Sequence, residues 1–246
     1  MKIIGFVAPK SGGKDTAALM LIEARKANGK ISFAGPLKDV CSKVFKIPLH
    51  NLNDPILKEA LFETPIVLTK KHLRDIKNEC VRLVDPESDG KLLYNPNKAS
   101  VLGIEGRSLS SPRELMQFIG TDFIRNKIFQ GWHLNAAFGK ENLRQYDANG
   151  VYCVTDIRFM NEYEFLKERF GDDFSCFYVE RPEAEEKLKT ATHPSELETQ
   201  KIKAALDESS IVVNDGSIED LQDKLNKLKF IPAPRKKGSR FKFGSK

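Results

Sequence analysis

The stretch Lys2-Ile3-Ile4-Gly5-Phe6-Val7-Ala8-Pro9-Lys10-Ser11-Gly12-Gly13-Lys14-Asp15-Thr16 decides the fold. Lys2–Val7 is a short apolar run with β-branched members, the mark of a buried strand. Pro9 and the Gly12-Gly13 pair interrupt it. From Lys14 to Asn28, Ala17, Leu21 and Ala24 fall on one face at helical spacing. A strand, a glycine turn and a helix in that order form the setting of a phosphate-binding loop. Gly12 and Gly13 let successive N–H groups point at one anion, and the helix N-terminus adds its dipole. Lys14 supplies a mobile charge for β- and γ-phosphates. Two positions depart from the common form. Ala8 stands where a first glycine is usual, and Asp15 stands where Ser or Thr is usual. Thr16 can take over the hydroxyl contact, while Asp15 either faces Mg²⁺ through water or stabilises the first helical turn. The plainer alternative is a glycine turn before a structural helix.

Working outward, strand-like and helix-like segments alternate. Ile31–Phe33 reads as a second strand, and Pro36 suits the first turn of a following helix. Val151–Thr155, Ser175–Val179 and Ile211–Val213 read as further strands, with a helix at Asn161–Phe170. Ser217 looks like an N-cap, with Ile218, Leu221, Leu225 and Leu228 at helical spacing to Lys229. Strands separated by helices imply an α/β fold with a parallel sheet covered on both faces. Residues 45–110 break the rhythm. They are rich in Pro, Asn, Lys and Asp, with one clear helix at Lys70–Val84 behind a Thr69 cap. They read as an insertion able to grip a second substrate. Ser111-Pro112 opens another helix, and Gly120-Thr121-Asp122 follows it as a turn.

The chain has 246 residues, with 40% hydrophobic and 30% charged, enough for a sizeable core and against wholesale disorder. No apolar run is long enough for a membrane span or a signal-peptide core, so a soluble cytoplasmic protein is expected. The four cysteines are widely separated, which suggests reduced structural thiols. The net charge of +6 is localised. Residues 231–246 carry Arg235, Lys236, Lys237, Arg240, Lys242 and Lys246 and no acid. Forty basic residues less those six leave 34, matching the 34 acids of the rest. The body is thus neutral, and any nucleic-acid binding is expected to be weak and confined to a disordered basic tail.

Thr155-Asp156-Ile157-Arg158 follows a strand, and in parallel sheets the C-terminal strand ends line the ligand crevice. An acid there can hold magnesium waters, an arginine two residues on can reach a phosphate, and Glu162 lies four residues after Arg158. An ordinary surface cluster is the alternative. Arg113 and Gln117 are four apart on one helix face. A guanidinium can hold a monophosphate, and an amide can read a base edge. Trp132, the only tryptophan, either stacks on a base or belongs to the core. His193 either touches a nucleotide or caps a helix, and His50, His72 and His133 lack ligand spacing, so zinc is not expected.

Lys14-Asp15-Thr16 behind Gly-Gly, Phe33-Ala34-Gly35-Pro36-Leu37-Lys38-Asp39, Arg113-Glu114-Leu115-Met116-Gln117 with Gly120-Thr121-Asp122, Thr155-Asp156-Ile157-Arg158 with Asn161-Glu162, and Asn214-Asp215-Gly216-Ser217 come in an order that resembles bacteriophage-type deoxynucleoside monophosphate kinases. The likeness covers most of residues 1–229. It implies a P-loop kinase three-layer sandwich, with a parallel five-stranded sheet and a mostly helical substrate-binding insertion. The core would be 1–44 with 111–230, the insertion 45–110 and the tail 231–246. It further implies transfer of phosphate from ATP to a deoxynucleoside monophosphate with Mg²⁺, and a possible homodimer. Carried over, Ser11, Gly12, Gly13, Lys14, Asp15 and Thr16 would hold the ATP phosphates, with Arg181 and Asn214 near the adenine end. Lys38, Arg113, Gln117, Gly120, Thr121 and Trp132 would grip the acceptor. Asp156, Arg158 and Glu162 would organise the crevice, and Asp15, Thr16 and Asp156 would face the metal. Lys14, Arg113, Asp156 and Arg158 would be the catalytic set. A dephospho-coenzyme A kinase is the neighbouring alternative on the same core. A nucleic-acid-linked ATPase and a purely structural nucleotide-binding module are more distant ones.

Overall fold

A computed structural model describes residues 1–84, 104–128, 131–188, 190 and 194–228, without the side chains of 140, 141, 194 and 195. Lys189, His193 and the basic tail at 231–246 lie outside the described residues, as does 85–103 of the expected insertion. In chain order the strands are β1 (Lys2–Val7), β2 (Gly29–Lys30), β3 (Ile66–Val67), β4 (Ser108–Leu109), β5 (Val151–Val154), β6 (Phe174–Glu180) and β7 (Ile211–Val213). The α-helices are α1 (Lys14–Glu23), α2 (Gly35–Phe45), α3 (Leu49–Asn53), α4 (Lys70–Leu83), α5 (Pro112–Gln117), α6 (Trp132–Phe138), α7 (Lys140–Leu143), α8 (Met160–Phe170), α9 (Pro182–Leu188), α10 (Pro194–Ala204) and α11 (Ile218–Asn226). The chain divides into two compact units, 1–31 with 147 onward, and 32–146.

The first unit is built on a five-stranded sheet in the order β2-β5-β1-β6-β7. All its pairings are parallel, with Ile3 opposite Tyr152 on one side and Phe174 on the other. Alternation along β1 splits the core. Ile4, Phe6 and Ala8 pack with Ala17 and Leu21 of α1 and with Leu221 and Leu225 of α11. On the opposite face Gly5 leaves room for Ile157, Phe174 and Cys176; a Cβ there would come within 2.6 Å of Ile157 Cδ1. Helices α8 and α10 pack together, α8 against β6 and α10 against β1. The expected α/β sandwich with a parallel five-stranded sheet is therefore present, and β1 sits at its centre, flanked by strands far away in sequence. A partly buried polar cluster fastens α9 and α10 to β6. Tyr178 Oη donates to Glu185 at 2.7 Å, Gln200 Nε2 donates to Tyr178 Oη at 2.9 Å, and Lys203 reaches Glu180 at 2.9 Å and Glu185 at 3.2 Å. Burial, together with the bond to Glu185, raises the Tyr178 hydroxyl pKa.

The second unit is mostly helical, with a short antiparallel β3–β4 pair. Its core joins Val40 and Cys41 of α2, Leu73, Ile76 and Cys80 of α4, and Leu115 of α5. Because these segments share one core, the division falls at 31/32 and 146/147 rather than at the 44/45 and 110/111 expected from composition. Thr69 caps α4 as anticipated, its side chain accepting from His72 N at 3.2 Å. The expected turn at Gly120-Thr121-Asp122 is instead helical. After α5 the backbone widens into a π-helical stretch, Phe118–Ile128. Gly120 lies under Leu37, where a Cβ would meet Leu37 Cδ2 at 2.7 Å. All four cysteines are buried and free, and burial pushes the thiols of Cys41, Cys153 and Cys176 up to about 12. Among the described residues no helix is long and apolar enough to cross a membrane.

Candidate active site

Where β1 ends, the chain turns tightly. Gly12 N donates to Pro9 O at 3.0 Å, Ser11 has φ +66° and Gly13 φ +104°. Alternating handedness of this kind turns consecutive N–H groups toward one side, the geometry of an anion nest. Both glycines are required sterically. A Cβ on Gly12 would lie 2.7 Å from Ala8 Cβ, and one on Gly13 would lie 2.5 Å from Asn214 Nδ2. Ala8 in place of the usual glycine is thus accommodated by Gly12. No side chain caps the N-terminus of α1, so its first-turn amides are left for a ligand.

Lys14 opens α1. Burial holds its pKa below the ordinary lysine value; Asp15, Glu196 and Asp156 oppose that shift, and Arg158 adds to it. A partly desolvated cation in a loop of inward-facing amides is prepared for a polyanion, which restores its charge. Asp15 makes two bonds through one oxygen. Oδ1 accepts from Lys30 Nζ at 2.9 Å and from Thr155 Oγ1 at 2.8 Å. Burial alone would raise the Asp15 pKa, but the bonds from Lys30 and Thr155 and the charges of Lys30 and Lys14 hold it below the usual aspartate value. Thr16 follows in the first turn, partly buried.

After β5, Ile157 plugs into the space above Gly5, so Asp156 and Arg158 flank an anchored residue. Both act on Lys14 electrostatically. Glu162 is buried and caps α8, its carboxylate accepting from the backbone N of Arg158 at 2.7 Å and of Phe159 at 3.1 Å. It therefore fixes the main chain that presents Arg158. Asn214 braces the loop from behind, its Nδ2 donating to Gly12 O at 3.2 Å. Arg181 is paired with Glu183 at 2.9 Å. Ser11 through Thr16, Asp156, Arg158, Glu162, Arg181 and Asn214 all belong to the sheet unit. Three residues there escaped the sequence reading as site members: Lys30, Thr155 and Glu196. Glu196 accepts from Lys10 N at 3.4 Å. Thr155 had a legible signal in its place at the end of the strand before Asp156, whereas Lys30, which precedes the expected strand Ile31–Phe33, and Glu196 had none.

The residues expected at the acceptor, Lys38, Arg113, Gln117, Gly120, Thr121 and Trp132, belong to the helical unit. Ser111 caps α5, accepting from Glu114 N at 3.2 Å, and Pro112 occupies the first turn. This start projects Arg113, whose Nε and Nη2 donate to Glu59 Oε1 at 2.8 and 2.5 Å. Gln117 and Thr121 are exposed. Lys38 donates to Asn53 Oδ1 at 2.7 Å. Trp132 corrects the stacking expectation: it is only 2% exposed, and its Nε1 donates to Cys80 O at 3.0 Å. It fills the core because the indole satisfies a carbonyl of the last turn of α4 that has no helical partner.

No group of three or more His, Cys, Asp or Glu side chains converges among the described residues. The oxygen donors at the loop, Asp156, Thr16 and the second oxygen of Asp15, suit Mg²⁺ shared with phosphates rather than a closed protein cage. A family model described as deoxynucleotide monophosphate kinase matches residues 2–225. A protein of Acanthamoeba polyphaga mimivirus, provisionally named a deoxynucleotide monophosphate kinase, is 26% identical over 233 residues, covering 92% of this chain and 94% of its own. The deoxynucleoside-5'-monophosphate kinase of Escherichia phage T5 is 27% identical over 214 residues, covering 79% of this chain and 83% of its own.

Proposed function

The chain belongs to the deoxynucleotide monophosphate kinase family, and we propose that it moves the terminal phosphoryl group of ATP directly onto the phosphate of a deoxynucleoside 5'-monophosphate. The observation that carries this reading is the loop with positive φ at Ser11 and Gly13 around a desolvated Lys14. Phosphoryl transfer asks the protein for position and positive charge more than for a covalent nucleophile. The loop amides and Lys14 hold the donor's phosphates. Arg158, set by the Glu162 cap, adds charge where negative charge spreads in transfer. Asp156 and Thr16 would hold Mg²⁺, which would supply positive charge to offset that of the donor phosphates. Arg113 grips the acceptor phosphate after exchanging Glu59 for it, and Gln117 reads the base. No phosphoenzyme forms. The test is ADP release with ATP–Mg²⁺ and each of the four deoxynucleoside monophosphates, with Lys14→Ala as control. At least one acceptor should be phosphorylated, and Lys14→Ala should lose on the order of 10²-fold or more. Turnover without an acceptor, or none with any, refutes the assignment.

A further inference from the structure

An aspartate directly after the phosphate lysine is electrostatically adverse, since it sets a carboxylate beside the bound polyanion. The structure supplies what offsets it. Lys30, from the end of β2, and Thr155, from the end of β5, converge on the same Asp15 oxygen at 2.9 and 2.8 Å. We propose that Lys30 and Thr155 are positioning residues of the phosphate site that act through Asp15: Lys30 cancels its charge, and Thr155 ties α1 to the strand end bearing Asp156 and Arg158. This deepens the kinase reading above and rests on it.

Two features argue for a latch rather than a chance surface pair. Asp15 is joined to two different strand ends, both beside β1 in the sheet order or one strand removed. The threonine bond also falls on the residue just before Asp156, so the placement of one acid against Lys14 depends on the other. The exposed ion pair itself contributes little to folding. Its consequence is electrostatic. An uncancelled carboxylate beside a triphosphate would weaken binding by about tenfold, whereas an ion pair presents only a dipole.

The inference is tested by calorimetric titration of ATP without acceptor, for wild type, Asp15→Asn, Lys30→Met, Lys30→Arg and the Asp15→Asn/Lys30→Met double variant, with thermal melts as a folding check. Lys30→Met should weaken ATP by about tenfold, Lys30→Arg should restore most of the loss, and Lys30→Met should change little in the Asp15→Asn background. Lys30→Gln replaces Lys30→Met if the latter does not fold. An equal loss in both backgrounds means that Lys30 meets phosphate directly and overturns the inference; so does no loss in either. A carbon-13 NMR titration of the Asp15 carboxyl gives a ligand-free readout: removing Lys30 should raise its pKa, and an unchanged value overturns the latch. Failure of the wild type to bind ATP refutes the kinase assignment instead, and the NMR result then decides whether the latch exists.

Discussion

Gly13→Ala tests the phosphate loop at its narrowest point. The residue holds φ +104°, which L side chains reach only with strain of about 1–3 kcal/mol. The added methyl would also stand 2.5 Å from Asn214 Nδ2. Asn214 must then move, and its 3.2 Å bond to Gly12 O is lost, at about 0.5–1.5 kcal/mol. Together the two effects should destabilise the sheet unit by about 2–4 kcal/mol, a large share of the roughly 5–15 kcal/mol typical of a domain. Urea unfolding followed by far-ultraviolet circular dichroism measures the loss. Asn214→Ala separates the contributions. In that background the methyl has no amide to displace, so Gly13→Ala should cost less by about 0.5–1.5 kcal/mol. A Gly13→Ala protein within about 0.5 kcal/mol of wild type would show that the loop does not need its left-handed glycine. Strict additivity with Asn214→Ala would show that the two residues do not meet.

If Arg113 grips the acceptor as proposed, Arg113→Ala should lower kcat/KM for the deoxynucleoside monophosphate by roughly 10²-fold and leave calorimetric ATP affinity nearly unchanged; a loss confined to ATP would refute that role. Trp132, the single tryptophan, should show blue-shifted emission and weak acrylamide quenching, and Trp132→Phe should cost about 1–3 kcal/mol by orphaning the Cys80 carbonyl. Easy quenching would return the indole to the surface.

Local patterning made much of the sheet unit legible. β1 spans Lys2–Val7 and β7 Ile211–Val213, as their apolar runs indicate. β2 is the instructive exception. Its apolar run, Ile31–Phe33, suggests a strand, yet the strand is Gly29–Lys30. Ile31 N still bonds to Cys153 O at 2.9 Å, but the chain then leaves the sheet, and Phe33 meets Phe138 edge-on at 5.3 Å. Hydrophobicity marked burial there without saying in which core. α1 stops at Glu23 rather than Asn28 because Arg25 takes a positive φ. The unit boundary was hidden for a related reason: α2 and α5 look like parts of an alternating core, and only the packing of Val40 and Leu115 with Ile76 assigns them elsewhere. At the site, spacing marked Lys14, Asp156 and Arg158 as candidates, and the structure brings all three into one field. It marked Asp15 as anomalous but could not supply Lys30, whose approach depends on sheet order. The exposed arginine at 113 was readable from its helix face, whereas its pairing with Glu59 crosses 54 residues of sequence.

Both points at which the chain leaves the sheet unit are moored to β5. Ile31 N bonds to Cys153 O at 2.9 Å, and Asp147 N to Tyr152 Oη at 2.8 Å. The helical unit is thus a cassette spliced between two neighbouring moorings on one strand, and every strand of the parallel sheet lies outside it. Changes of length or sequence inside the cassette need not be transmitted to the strand register that shapes the phosphate loop. Such an arrangement lets the two units of the protein diversify at different rates: residues 32–146 can be reworked while the sheet unit keeps its frame. It also gives protein engineering a defined seam, at 31/32 and 146/147, across which cassettes from related chains can be exchanged.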